Sequence, residues 1–163
     1  MINQLTRVLQ AAIGYLELGM PAEGLRELDT LPPEGRAQVE CIELRAVLEQ
    51  HLGNWQGAAD AYAELGRREP DNAERFIAQG CCLYELRRIP EARDALLAAG
   101  PSARHQGLWN YHLACYEAIL GHRARARELL QTSLKLDPGL RAMALQNENL
   151  TPLLKPLPDP PAP

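Results

Sequence analysis

The chain has 163 residues, 46% of them hydrophobic and 23% charged, with a net charge of −4; this is the size and balance of one globular domain that buries a core without disulfides or metal. The acidic excess argues against nucleic acid, whose binders carry a basic excess or stripe. No stretch approaches the roughly 18 apolar residues that a membrane-spanning helix needs, and Glu17 breaks the apolar run behind an N-terminus without a basic region, so no signal peptide is expected and the cytoplasm is the expected compartment.

Ala, Leu, Glu and Arg are plentiful and β-branched residues scarce, a mixture that favours helix over strand. The cationic residues are almost all Arg, with Lys only at 135 and 155, a codon-usage sign of a GC-rich bacterial genome. Four cysteines, Cys41, Cys81, Cys82 and Cys115, are expected to be reduced in that compartment.

In chain order, the apolar periodicity predicts helices over 5–18, 21–31, 36–52, 55–68, 72–86, 89–99, 107–120 and 123–136, with a ninth near 140–148. These pair into antiparallel hairpins because the sequence repeats every 34 residues. Leu18, Leu52, Leu86 and Leu120 share one column, followed by Gly19, Gly53, Arg87 and Gly121. Small residues recur before that column (Ala12, Ala46, Gly80, Ala114) and after it (Gly24, Ala58, Ala92, Ala126), where two helices cross closely. Leu28, Tyr62, Leu96 and Leu130 fill the space between. The turn glycines suit the left-handed residue that ends a helix. Pro21 and Pro90 stand in a first helical turn, where a missing N–H costs little, and Asn54 is a good N-cap. The repeats run 5–38, 39–72, 73–106 and 107–140.

This pattern, with "Gly-Asn-Trp-Gln-Gly-Ala-Ala-Asp-Ala-Tyr" at 53–62 and "Leu-Lys-Leu-Asp-Pro" at 134–138, resembles the tetratricopeptide repeat (TPR) family, as found in small bacterial TPR proteins. The resemblance covers roughly residues 5–140. It implies an all-α fold, a right-handed superhelix of four helix-turn-helix repeats. It departs from the family where Arg87 replaces the turn glycine, where repeat one ends early at Pro32-Pro33, and where repeat three ends in Ala98-Ala99-Gly100-Pro101 without Asp-Pro. A solenoid also needs a cap with a polar outer face. The expected cap is a short helix within 139–149, packing Ala142 and Leu145 and exposing Arg141, Gln146 and Glu148. The TPR domain is thus expected over 1–150 and a proline-rich tail over 151–163, extended or unstructured from 156 on.

The resemblance implies a concave groove lined by the first helix of each repeat. Its positions are Thr6, Leu9, Gln10, Ile13, Leu16 and Glu17 in repeat one, and Glu40, Glu43, Leu44, Val47, Gln50 and His51 in repeat two. Repeat three gives Glu74, Ile77, Ala78, Cys81, Tyr84 and Glu85, and repeat four Leu108, Tyr111, His112, Cys115, Ala118 and Ile119. One column, Ile13, Val47, Cys81 and Cys115, is apolar throughout. No Lys or Arg appears among these positions, so the carboxylate clamp of heat-shock co-chaperone TPR domains is absent. Such a groove suits an apolar or amphipathic helix carrying basic residues; equally, part of the stripe is simply core.

The function expected is therefore protein–protein interaction, as chaperone or scaffold, through a groove formed by Leu9, Ile13, Leu16, Glu17, Glu43, Leu44, Val47, Glu74, Ile77, Cys81, Tyr84, Glu85, Tyr111, Cys115 and Ile119. The alternative is a subunit that docks into a larger complex by its edges, and a distant third a thiol or metal protein built on Cys81, Cys82, Cys115 and His112. No Cys-x-x-Cys or His-x-x-x-His spacing supports the last. Arg87, Arg88, His122, Arg123, Arg125 and Arg127 mark the turns of repeats three and four, as a solvated face or, less in keeping with the acidic chain, a ridge for an acidic partner or RNA. Trp55 and Trp109 are expected to pack rather than bind. Neither a phosphate loop nor a nucleophile motif is present, so no enzyme, cofactor or metal is expected. The partner is a protein or peptide, with self-association a further possibility.

Overall fold

The computed structural model of the chain describes residues 3–154. Every regular element among them is helical: α1 (Gln4–Glu17), α2 (Pro21–Asp29), α3 (Pro33–Arg36), α4 (Val39–His51), α5 (Trp55–Arg68), α6 (Ala73–Glu85), α7 (Ile89–Leu97), α8 (Gly107–Ile119), α9 (Arg123–Leu136), α10 (Arg141–Gln146) and α11 (Thr151–Leu154), with single 3-10 turns at Pro101–His105 and Pro138–Leu140. The paired helices α1–α2, α4–α5, α6–α7 and α8–α9 are the four hairpins that the 34-residue repeat predicts.

Local chemistry sets the helix starts. The side chains of Asn3, Asn54 and Asn72 accept from the amides of Thr6 (2.8 Å), Gly57 (3.2 Å) and Glu74 (3.2 Å), each satisfying a donor that the first turn leaves free. Pro21 and Pro33 begin their helices.

The ends of α1, α4, α6 and α8 share one design. Gly19, Gly53, Arg87 and Gly121 all have positive φ, Arg87 at 62°. In each case the next residue's amide reaches back five residues: Met20 to Tyr15 (2.8 Å), Asn54 to Glu49 (2.9 Å), Arg88 to Leu83 (2.9 Å) and His122 to Glu117 (2.9 Å). This is the Schellman closure, and Arg87 adopts it without the glycine, at the steric cost a side chain incurs there. In the Leu column just before this turn Leu18 is 74% exposed and Leu52 is exposed, while Leu86 and Leu120 are half-buried, so the column marks the cap more than the core.

The small columns lie at the crossings, as expected. Ala12, Ala46, Ala58, Ala92, Ala114 and Ala126 have no exposed surface. At Gly24 an added Cβ would stand 3.2 Å from the Ala12 carbonyl and 2.8 Å from Leu48. Leu28, Leu96, Leu130 and Tyr62 fill the space between helices and are buried.

The described residues form two compact units that divide between Ala99 and Gly100, at the end of the third sequence repeat. In the first unit, α4 packs on both α1 and α2. Side-chain bridges join its hairpins. Arg45 pairs with Asp29, Arg75 with Glu43 (2.7 Å), and Arg88 donates to Gln56 (2.6 Å). The last two span 32 residues, the footprint of one repeat stacked on the next.

Three details differ from the sequence-based expectation. Residues 33–36 form the extra one-turn helix α3, because Pro32-Pro33 ends α2 and restarts a helix, so α4 begins at Val39 and not at 36. In the cap, Ala142 and Leu145 face outward, Leu145 at 54% exposure, while Leu140, Ala144, Leu150 and Leu153 are buried in their place. The outer face of the cap is therefore partly apolar. Within the segment assigned with the tail, Thr151–Leu154 is a helical turn held by the Thr151 hydroxyl on the Asn147 carbonyl (2.8 Å). The rest of the proline-rich segment, 155–163, lies outside the described residues.

Candidate functional site

In the first unit, α1, α4 and α6 are the first helices of successive hairpins, so their equivalent residues fall in rows across one face. The central row is Ile13, Val47 and Cys81. None is buried, and Ile13 is 44% exposed. Leu9, Leu16 and Leu44 flank this row but lean on a buried cluster of Val8, Ala12, Leu28, Leu31, Cys41 and Leu48. Tyr84 is half-buried, and Ile77 is 7% exposed and belongs to the core beneath. The stripe is thus part open surface and part core.

The carboxylates predicted along this face are not equivalent. Glu43 is held by Arg75, whose Nη1 and Nη2 reach its two oxygens at 2.7 and 3.3 Å while its Nε reaches Glu69 at 2.9 Å. The bonds from Arg75, and next from Asn72, hold the Glu69 carboxyl below its ordinary pKa, and those carboxylates, Glu43 foremost, push the Arg75 guanidinium further up. Arg75 was missed from sequence because it stands one residue outside the groove positions; its offset of 32 from Glu43 was the available signal. Glu74 is exposed in the first turn of α6. Glu17 and Glu85 are exposed in the last turn of α1 and α6, neither of which contains a basic residue. His51 holds the same row on α4, its Nδ1 2.9 Å from the Val47 carbonyl.

In the second unit two of the predicted positions are covered by the chain itself. Tyr111 and Cys115 are 5% and 6% exposed. The Asn147 side chain donates to the Cys115 sulfur (3.3 Å) and the Tyr111 hydroxyl (3.4 Å). The pair 115 and 147 again spans 32 residues, so α10 and Asn147 stand where the first helix of a fifth repeat would begin. Ile119, near the end of α8, is 37% exposed.

The cysteines are placed for packing. None of the four forms a disulfide. Burial pushes Cys82 up to about 11, against a hydrogen bond from Gln50 (3.4 Å) that pulls the other way, and burial also raises Cys41. Thiols so shifted are poor nucleophiles at neutral pH. Among the described residues, no group of three or more His, Cys, Asp and Glu is arranged to hold a metal ion, and no helix is long and apolar enough to cross a membrane.

Of the arginines at the turns, Arg88 is tied to Glu91 and Gln56 in the first unit. In the second, Arg125 reaches Glu128 at 3.4 Å and His122 meets the nearly buried Glu117 at 2.5 Å. Trp109 is buried and Trp55 half-buried, as packing residues are.

No protein-family model and no curated protein sequence matches the chain. Among solved structures it is similar to MamA 41-end from Desulfovibrio magneticus RS-1, with a TM-score of 0.72 at 17% identity, covering 94% of this chain and 91% of that one. A MamA RS-1 ArsTM double mutant matches at the same TM-score and identity, over 94% and 90%. The likeness establishes a fold of the TPR type, stacked helical hairpins.

Proposed function

We propose that this protein is an interaction module, a scaffold or chaperone of the bacterial cytoplasm, and that the face of α1, α4 and α6 binds an apolar or amphipathic segment of a partner protein. The observation that carries this is the row Ile13, Val47 and Cys81, apolar at a fixed 34-residue spacing, with Ile13 exposed and Val47 and Cys81 half-buried, while Leu9, Leu16 and Leu44 beside it lean on the core. Apolar rows of this kind supply affinity when a partner helix lays its own apolar face on them. No catalysis is assigned to the chain.

The test is retention of partners from an extract of the native host by wild type and by Val47→Asp. Val47 is only half-buried, so the substitution should leave the helical circular dichroism signal in place, and the retained protein should be lost. Equal retention overturns the assignment. One observation favours the edge-docking alternative: Leu18 and Leu52 are exposed at adjacent turns. Loss of the partner with Leu18→Ser/Leu52→Ser but not with Val47→Asp would move the site to that edge.

A further inference from the structure

We infer that the occupant of the α1–α4–α6 face is a cationic amphipathic helix about three turns long, and that Glu17 and Glu85 take its positive charges at the rim where these helices end. The inference rests on the interaction face proposed above and specifies its partner.

The charge of the unit points first to a cation. Residues 1–99 contain sixteen Asp and Glu against ten Arg and no Lys, a net of −6, more acidic than the chain as a whole. Such a field steers basic segments toward it.

The placement of individual carboxylates is more telling. A carboxylate in the first turn of a helix is stabilised by the macrodipole, and one in the last turn is disfavoured. Glu40 and Glu74 stand in first turns, and Glu43 is neutralised by Arg75, so each has a reason within the fold. Glu17 and Glu85 have none. They occupy the disfavoured end, exposed, without a basic residue in their turn, and among the described residues neither joins an ion pair. Their negative charge adds to the carbonyl ends of the helices; the exposed Arg87 offsets part of it at the α6 end, while Arg88 is tied to Glu91 and Gln56, so the rim stays net negative beside the apolar row.

Spacing fixes the occupant. Glu17 and Glu85 are two repeats apart, with α4 between them and bridged to α6 by Glu43–Arg75 and Gln50–Cys82. Packed helices are about 8–10 Å apart, which puts the two carboxylates about 16–20 Å apart. On a helix rising 1.5 Å and turning 100° per residue, positions i and i+11 are about 16.5 Å apart on the same face. The expected ligand carries Lys or Arg at i and i+11, with apolar residues on the adjoining face to cover Ile13 and Val47.

The experiment is fluorescence anisotropy of the full chain with two labelled 18-residue amphipathic helices of equal charge and apolar content. One has Arg at i and i+11 and the other has the same Arg at i and i+4. The first should bind more tightly, and the preference should shrink as salt rises. In Glu17→Gln/Glu85→Gln, affinity for the first peptide should fall by about tenfold, the scale of two partly exposed charge contacts. Its melting temperature should stay level or rise, because two charges leave the wrong end of the dipole. A carboxylate with a structural role would instead lower it. Equal affinity of the double variant and wild type, equal affinity for the two peptides, or no binding of either overturns the inference. Val47→Asp separates the levels. If it abolishes binding while the Glu variant does not, the groove stands and the rim fails; if binding survives Val47→Asp, the groove itself is wrong.

Discussion

At the residue scale, position along the repeat decides what each side chain does. Ala12 and Ala46 are invisible to solvent because two backbones cross there, whereas one residue later Ile13 is exposed and Val47 only half-buried. These roles were legible from period and residue size. The Arg75 network was not, because a side-chain bridge across 32 residues depends on how the hairpins stack, which no local pattern records. The same holds for Asn147, whose bonds to Tyr111 and Cys115 close a face that the repeat alone leaves open.

His112 shows a burial effect with a measurable sign. Burial pushes its imidazole down to about 4, from an ordinary value near 6.5. It rests against Tyr111 edge-on, with ring centroids 5.4 Å apart. Between those two values the unfolded chain takes up a proton that the folded chain refuses. The stability due to neutral His112 is therefore complete above about pH 6.5 and declines as pH falls toward 4. Melting temperature should drop from pH 7 to pH 5, and His112→Gln should flatten that slope whatever its effect at pH 7. Glu69 and Glu91 act in a lower window, since their carboxyls, held down mainly by Arg75 and Arg88, protonate only below their ordinary range. An unchanged slope in His112→Gln contradicts the assignment.

At the scale of elements, the hairpins were legible and the short pieces were not. A four-residue helix has no periodicity to detect, so α3 and α11 escaped notice. In the cap, apolar spacing pointed to Ala142 and Leu145, but Leu140, Leu150 and Leu153 fill the core instead. A six-residue helix preceded by a 3-10 turn presents a different face from the one a longer helix would. The longer elements permit a firmer test. Ala92 on α7 is fully buried at the crossing with α6. Enlarging it in Ala92→Leu should cost roughly 1–3 kcal/mol by overpacking, read by denaturant unfolding. A cost near zero means that the crossing is elsewhere and the repeat register is wrong.

At the scale of the whole molecule, four hairpins were countable from the sequence because a 34-residue period without insertions leaves little freedom. The division into two compact units was less visible. Its one signal is the end of repeat three, where Ala-Ala-Gly-Pro replaces Asp-Pro and a 3-10 turn follows. The division matters for function. The apolar row and its unpaired rim carboxylates belong to the first unit, and the equivalent positions of the second, Tyr111 and Cys115, are covered by Asn147.

The central claim is that the α1–α4–α6 face is the binding surface, and methyl-labelled NMR tests it most directly. The titrant is the i, i+11 peptide or a partner retained by wild type. The Ile13 and Val47 methyls should shift on binding, while Val8 on the buried side of α1 and Ile42 on the buried side of α4 stay in place. Shifts at Ile42 or at methyls of the second unit, with Ile13 and Val47 unmoved, would contradict the account.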